Sequence, residues 1–357
     1  MAIAVAVAAV LVGTGIYAGY VLSSPGSPCG SSSAAQSEST VGDRSGVPST
    51  HATAALTASP TSVGRTSAAP SRVSDPTDPN QAINVVAAEN FWGSLVSQLG
   101  GTHVNVTSIV TNPNTDPHEY QANDSDARAI TAAQYVIVNN VGYDTWATGL
   151  IAADGDTNQT ILNVGDSLGV SVTGGIVTGN PHLWYNPAYV NQTVAWMYHN
   201  LTSLAPGLTG YFTDQYHNLT ASLGSLYSRA TQIKTQFHGT EVASTESIFV
   251  YLANATGLDL VSPPAFMEAV AGDNEPSDAS VVQFECQLES GNVKVMVYNA
   301  QTVTPITTNM KAIAAEHNVT TVAFTETIQP SNLSFQDWMM DELDALQNAL
   351  NAKALGQ

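Results

Sequence analysis

The stretch Gly210–Phe237, GYFTDQYHNLTASLGSLYSRATQIKTQF, decides how the rest of the chain is interpreted. It contains no proline, and its apolar side chains recur at helical spacing, at Tyr211, Tyr216, Leu219, Leu223, Leu226 and Ile233. The spacing predicts one helix of ~27 residues and ~40 Å, more than twice the average helix length. Such a helix is expected to be a spine that joins two parts of the folded chain.

Short apolar runs of strand type alternate with helical segments on both sides of this predicted spine. The predicted strands are Ile83–Ala88, Val104–Val110, Tyr135–Asn139, Val293–Tyr298 and Thr320–Phe324. Trp338–Leu350 is predicted to be a final amphipathic helix. Alternation of strands and helices is typical of parallel sheets with helices on their faces. The predicted fold class is therefore α/β, with two lobes, each a small parallel sheet flanked by helices, joined by one long spine helix.

The N-terminal part of the chain has a composition unlike that of a folded domain. Residues 1–22 carry no charged side chain and are long enough, as a helix, to span a ~30 Å bilayer core. A lipid anchor would use Cys29, but Pro28 stands where a small flexible residue is needed, so we expect a signal anchor or signal peptide instead. Residues 23–82 are dominated by Ser, Thr, Ala, Gly and Pro and are predicted to be a disordered tether.

The charge of the chain excludes one class of partner. The sequence has 29 acidic and 9 basic residues, of which four acids and three bases lie in the first 82 residues. Residues 83–357 therefore carry a net charge of about −19, which repels nucleic acid. We expect no nucleic-acid partner.

Two short histidine motifs point to a metal site. Asp116-Pro117-His118-Glu119-Tyr120 and Asn180-Pro181-His182-Leu183-Trp184 each place an imidazole directly after a proline that fixes the backbone. Each follows an apolar, strand-like run, the second being Val170–Val177. Loops at strand ends are where α/β proteins place ligand-binding groups. With only eight histidines in the chain, two in matching settings suggest that they hold one divalent metal.

A four-coordinate metal site needs two further ligands, expected at strand ends in the second half. Glu246 lies just before a helical segment (Ser247–Ala255), and Glu326 directly follows the predicted strand Thr320–Phe324. Taken alone, each acid is better explained as a solvated surface group or as a charge at a helix N-terminus than as a metal ligand. Two imidazoles with two carboxylates favour Mn²⁺ by their oxygen donors without excluding Zn²⁺.

From Ile83 to about Leu350 the chain resembles the metal-binding solute-binding proteins of ABC transporters, the zinc and manganese receptors. The resemblance includes Glu89-Asn90-Phe91-Trp92, both Pro-His motifs, the spine, Glu275-Pro276-Ser277 and the late strand before Glu326. It implies one metal ligand from each of four strand-end loops, two per lobe. His118 and His182 fall on the N-lobe ligand positions, and Glu246 and Glu326 on the C-lobe ones.

Three departures from the family pattern accompany this resemblance. Position 326 usually holds Asp, and the histidine-rich acidic loop of many zinc receptors is absent. Where many relatives carry an acid after the strand Val293–Val297, this chain has Tyr298-Asn299-Ala300-Gln301. Asn299 is interpreted either as support for a ligand or as a turn residue, and Glu119 is equally ambiguous.

The resemblance implies a receptor at the cell surface or in the periplasm. It would bind one Mn²⁺ or Zn²⁺ and deliver it to an ABC permease with a cytoplasmic ATPase, as a membrane-anchored monomer and not as an enzyme. The predicted domains are an N-terminal metal-binding lobe (83–209), the spine (210–237) and a C-terminal lobe (238–357).

Three alternatives stay open at the level of sequence. A binding protein for an organic solute or a metal chelate would need a roomier cleft. An extracellular metallohydrolase would need an open coordination position and a general base. Nothing in the sequence supports or excludes an adhesin.

Overall fold

The computed structural model describes residues 82–156, 158–170, 172–173, 176–177 and 179–355. The predicted membrane segment (residues 1–22) and the predicted tether up to residue 81 lie outside this range. Among the helices of the described part of the chain, none is both long enough and apolar enough to cross a membrane.

The first sheet is parallel and is covered by helices. Its elements follow one another as β1 (Ile83–Glu89), α1 (Asn90–Gly100), β2 (Val104–Val110), α2 (Asp124–Ala132), β3 (Tyr135–Val138), α3 (Thr145–Asp154), β4 (Thr160–Asn163) and α4 (Val164–Leu168). The strand order is β2-β1-β3-β4. The central strands β1 and β3 are almost fully buried, which is why they read as continuous apolar runs.

A short hairpin and two long helices follow the first sheet. The strand expected at Val170–Val177 is instead an antiparallel pair, β5 (Val172–Thr173) and β6 (Ile176–Val177). The helix α5 (Pro187–Leu204) ends before a 3₁₀ turn at Pro206–Leu208, and α6 (Thr209–Phe237) is continuous over 29 residues. The predicted spine helix is confirmed.

The second sheet repeats the parallel arrangement. Its elements are β7 (Glu241–Ser244), α7 (Val250–Thr256), β8 (Asp259–Leu260), α8 (Pro264–Ala271), α9 (Asp278–Glu289), β9 (Val295–Asn299), α10 (Pro305–Glu316), β10 (Thr320–Phe324) and α11 (Phe335–Leu355). The strand order is β10-β9-β7-β8. The spine α6 contacts α1 and α5 from the first half and α7 and α11 from the second. The predicted fold class is confirmed.

A buried aromatic cluster is formed by side chains from α1 and from the loops that follow β3 and β6. The rings of Phe91 and Trp184 are stacked with their centroids 4.2 Å apart, and Tyr143 contacts both. All three side chains are at most 1% exposed. Burial of large aromatic side chains is among the strongest contributions to a core, so this cluster gives a rigid floor to the loops above it.

Candidate metal centre

Four loops at the carboxyl ends of parallel strands, or just after the hairpin, bring the predicted site residues together. His118 lies in the loop after β2, His182 follows β6, Glu246 follows β7 and Glu326 follows β10. One ligand atom each from His118, His182 and Glu326 lies within 4.8 Å of the other two. In an open α/β sheet this edge is where ligands bind.

The two Pro-His motifs fold into the same local turn. The Asp116 carboxylate accepts the backbone N–H of His118 at 2.8 Å, and the Asn180 side-chain oxygen accepts that of His182 at 3.0 Å. An Asp or Asn that accepts the N–H two residues on forms an Asx turn, and the intervening proline fixes its φ angle. The motif therefore places each imidazole before any ion is bound.

The ring of His182 has a defined tautomer. The Asn180 amide is oriented by donating to the Ser247 carbonyl at 2.6 Å, so its oxygen faces His182 Nδ1 at 2.7 Å and accepts a hydrogen bond from the Nδ1–H. Burial lowers the pKa of His182 in spite of the nearby Glu326 carboxylate. In the neutral ring the single proton is on Nδ1, which leaves the Nε2 lone pair free to ligate.

The Nε2 lone pair of His182 faces a carboxylate. Glu326 Oε1 lies 3.0 Å from His182 Nε2 and 3.5 Å from His118 Nε2. Two electron-pair donors at 3.0 Å repel each other unless a cation lies near both. His118 Nε2 and Glu326 Oε2 are also buried without hydrogen-bond partners. These orphaned polar atoms fit a divalent cation, because such atoms otherwise cost free energy.

The charges of the cluster follow from burial and from the close pairs. Burial disfavours the imidazolium of His118, but the Glu326 carboxylate outweighs it and raises the pKa of His118 to about 9. Burial likewise disfavours ionised Glu326, yet the adjacent His118 imidazolium holds the pKa of Glu326 at about 2. Burial and the Glu326 charge raise the pKa of Glu246. Without a metal, the cluster is therefore compensated by the His118–Glu326 ion pair.

Glu246 stands slightly apart from the other three residues. Its Oε1 lies 3.9 Å from His182 Nε2, and it accepts a hydrogen bond of 2.7 Å from the Asn299 amide. Glu246 is 1% exposed and Glu326 and His182 are 0% exposed. Asn299 thus contacts a predicted site residue, whereas Glu119 is exposed.

Gln301 ties two of the site loops together. Its side-chain oxygen accepts the backbone N–H groups of Glu326 at 2.7 Å and Thr327 at 3.2 Å, and its NH₂ group donates to the Thr115 carbonyl at 2.8 Å. Thr115 lies in the loop that carries His118. The sequence does not indicate this role of Gln301, because a side chain that contacts a residue 186 positions away leaves no local signal.

The comparisons with known proteins identify one family. Residues 85–349 match the family described as ZnuA, the periplasmic component A of a zinc-uptake complex. The chain belongs to this family. Its relatives are periplasmic metal-binding proteins of ABC transporters, and the family is one of substrate-binding receptors that act outside the cytoplasm.

Individual relatives are distant in sequence. The chain is 22% identical over 186 residues to the manganese-binding lipoprotein MntA of Halalkalibacterium halodurans. The aligned segment covers 51% of this chain and 60% of that protein. A putative metal-binding protein of Thermotoga maritima is 21% identical over 179 residues, 50% of this chain and 63% of its own length. The matched segment thus spans about six-tenths of these curated relatives.

Solved structures show the same fold. The periplasmic zinc-binding protein TroA from Treponema pallidum superposes with a TM-score of 0.64 at 16% identity, covering 75% of this chain and 99% of TroA. The Mn-bound periplasmic metal-binding protein from Candidatus Liberibacter asiaticus gives 0.63 at 17% identity, with 75% and 99% coverage. At these identities the likeness establishes the two-lobe architecture.

Proposed function

We propose that this ZnuA-family protein captures one divalent metal ion, Mn²⁺ or Zn²⁺, and delivers it to an ABC permease for import. The observation that carries the proposal is the convergence of His182 Nε2, His118 Nε2 and Glu326 Oε1 from separate loops. Two buried atoms of this cluster, His118 Nε2 and Glu326 Oε2, have no hydrogen-bond partner. Glu246 is proposed as the fourth ligand. Four protein ligands form a closed shell, which suits binding more than catalysis.

Burial of the cluster favours a bare ion as the ligand over an organic solute. The side chains of His182, Glu246 and Glu326 are at most 1% exposed, and Tyr143 packs against His118 with ring centroids 4.6 Å apart. All four proposed ligands come from one chain. We therefore expect the protein to act as a monomer.

Metal binding is tested on protein stripped of metal and reloaded with an equimolar mixture of Mn²⁺ and Zn²⁺. Elemental analysis should find about one ion per chain. In isothermal titration, His182→Ala and Glu326→Ala should each lose most of the affinity, because no neighbour replaces the lost donor atom. His217→Ala is the control, since His217 is exposed on α6 and outside the cluster. A parent-like affinity in both cluster variants would exclude this site.

The cellular role requires a separate test. We propose that residues 1–22 hold the protein at the membrane with the folded part outside the cytoplasm. Fractionation of cells should recover the full-length chain with the membranes. Deletion of the whole protein from the cell should reduce uptake of the metal that it binds. Recovery of the chain as a soluble cytoplasmic protein would contradict anchoring by residues 1–22. Detection of a lipid on Cys29 would show that a lipid anchor, and not residues 1–22, holds the protein at the membrane.

A further inference from the structure

The side chain of Asn299, at the end of β9, is completely engaged and has a fixed orientation. Its oxygen accepts the backbone N–H of Gln301 at 2.8 Å, so its NH₂ group must face the other way. There it donates to Thr302 Oγ1 at 2.9 Å and to Glu246 Oε1 at 2.7 Å. Asn299 and Glu246 are each 1% exposed, so water does not compete for these bonds.

This contact constrains how Glu246 can reach a metal. A carboxylate binds cations through one oxygen or through both. Oε1 of Glu246 is already held by the Asn299 amide, and it lies 3.9 Å from His182 Nε2, farther than the 3.0 Å of Glu326 Oε1. Oε1 is the Glu246 oxygen that the structure places near His182 Nε2, and the Asn299 amide already occupies one of its electron pairs, so Asn299 disfavours chelation of the ion by both oxygens.

The number of oxygens that Glu246 supplies changes the metal that the site prefers. One oxygen, with two imidazoles and Glu326, gives four donors, the number that Zn²⁺ prefers. Two oxygens give five, which moves the site towards the higher coordination and oxygen-rich shells of Mn²⁺. Groups that hydrogen-bond metal ligands typically change metal affinity by ~10–100-fold.

We infer that Asn299 is a specificity-determining residue that holds Glu246 to one metal bond and favours Zn²⁺ over Mn²⁺. The inference rests on the proposed metal-binding function. It runs against the expectation from ligand types alone, since two carboxylates with two imidazoles favour manganese.

The test compares Asn299→Asp with the parent. Aspartate keeps the shape and the acceptor for the Gln301 N–H but cannot donate to Glu246. The affinities for Zn²⁺ and Mn²⁺ are measured separately by chelator competition, and the ratio Kd(Mn)/Kd(Zn) is the readout. We expect this ratio to fall by ~10-fold or more. Asn299→Ala, which adds no charge, should shift it in the same direction, and it decides the matter if the aspartate variant does not fold.

The matched control is Asn309→Asp. The Asn309 amide also donates to a glutamate, Glu285, at 3.4 Å, but on the exposed surface of α10, and its substitution adds the same charge. Its metal ratio should equal that of the parent. An unchanged ratio in folded Asn299 variants, or equal losses for both metals, overturns the inference and leaves the receptor intact. A parent that binds neither metal overturns the proposed function as well.

Discussion

Removal of the Gln301 bridge is expected to weaken metal binding without removing any ligand. In Gln301→Met the side chain keeps a similar volume, but the N–H groups of Glu326 and Thr327 lose their acceptor and the Thr115 carbonyl loses its donor. A hydrogen bond of this kind contributes ~0.5–1.5 kcal/mol. Part of the free energy lost with these hydrogen bonds lowers the stability of the fold and not the affinity for metal. We therefore expect the binding free energy of the metal to weaken by ~1–2 kcal/mol, which is ~5–30-fold in affinity.

The loss should appear mainly as faster metal release, because the bridge holds the loops of His118 and Glu326 together and most affinity changes in related complexes lie in the dissociation rate. Isothermal titration gives the affinity, and stopped-flow mixing with a chelator gives the release rate. Gln347→Met is the matched control, since the Gln347 amide makes a 2.8 Å surface bond to Gln236. A folded Gln301→Met protein with an affinity within twofold of the parent would show that the bridge does not position the ligands.

Three further outcomes are expected. Burial raises the pKa of the Glu342 carboxyl from 4.5 to about 8, so this carboxyl ionises at a lower pH in the unfolded chain than in the folded protein. The free energy of unfolding therefore falls as pH rises from ~5 to ~8. In denaturant titrations between pH ~5 and ~8, the free energy of unfolding of Glu342→Gln should fall by ~3 kcal/mol less than that of the parent. An unaltered pH dependence would show that Glu342 does not have this raised pKa. Phe91→Ala, which deletes a ring stacked on Trp184, should cost ~3–5 kcal/mol of unfolding free energy, and a cost below ~1 kcal/mol would show that the aromatic floor is dispensable. Metal at 100-fold above its Kd should stabilise the parent by ~2.7 kcal/mol in thermal or denaturant unfolding but not His182→Ala, and equal stabilisation of both would place the ion elsewhere.

The strongly periodic elements could be predicted from sequence. The spine was recognised because 29 residues without proline repeat their apolar positions at helical spacing. Strands such as β1 and β9 could be predicted because burial on both faces makes most of their residues apolar. The prediction of one strand over Val170–Val177 was wrong, because apolar residues alone do not show where the chain reverses between two short strands, here β5 and β6.

The site could be predicted in part. The Pro-His motifs carry a local signal, since each folds into an Asx turn formed within three residues. The roles of Tyr143 and Gln301 carried none, because they depend on loops brought together by the tertiary fold. The contact between Glu246 and Asn299 also has no sequence signature, because it depends on the pairing of β9 with β7.

The continuity of α6 has a mechanical consequence. A helix of 29 residues is ~43 Å long, and a sharp bend in it would break backbone hydrogen bonds. The helix α6 is therefore a rigid connection without a flexible hinge between the elements that pack on it. A large hinge rotation of the elements of the two sheets about α6 is therefore unfavourable, whereas loops that follow the strands can shift by small distances. The loop from Asn299 to Thr302 is hydrogen-bonded to Glu246, Thr115 and Asp116, so a shift of this loop would change three contacts around the candidate site at once.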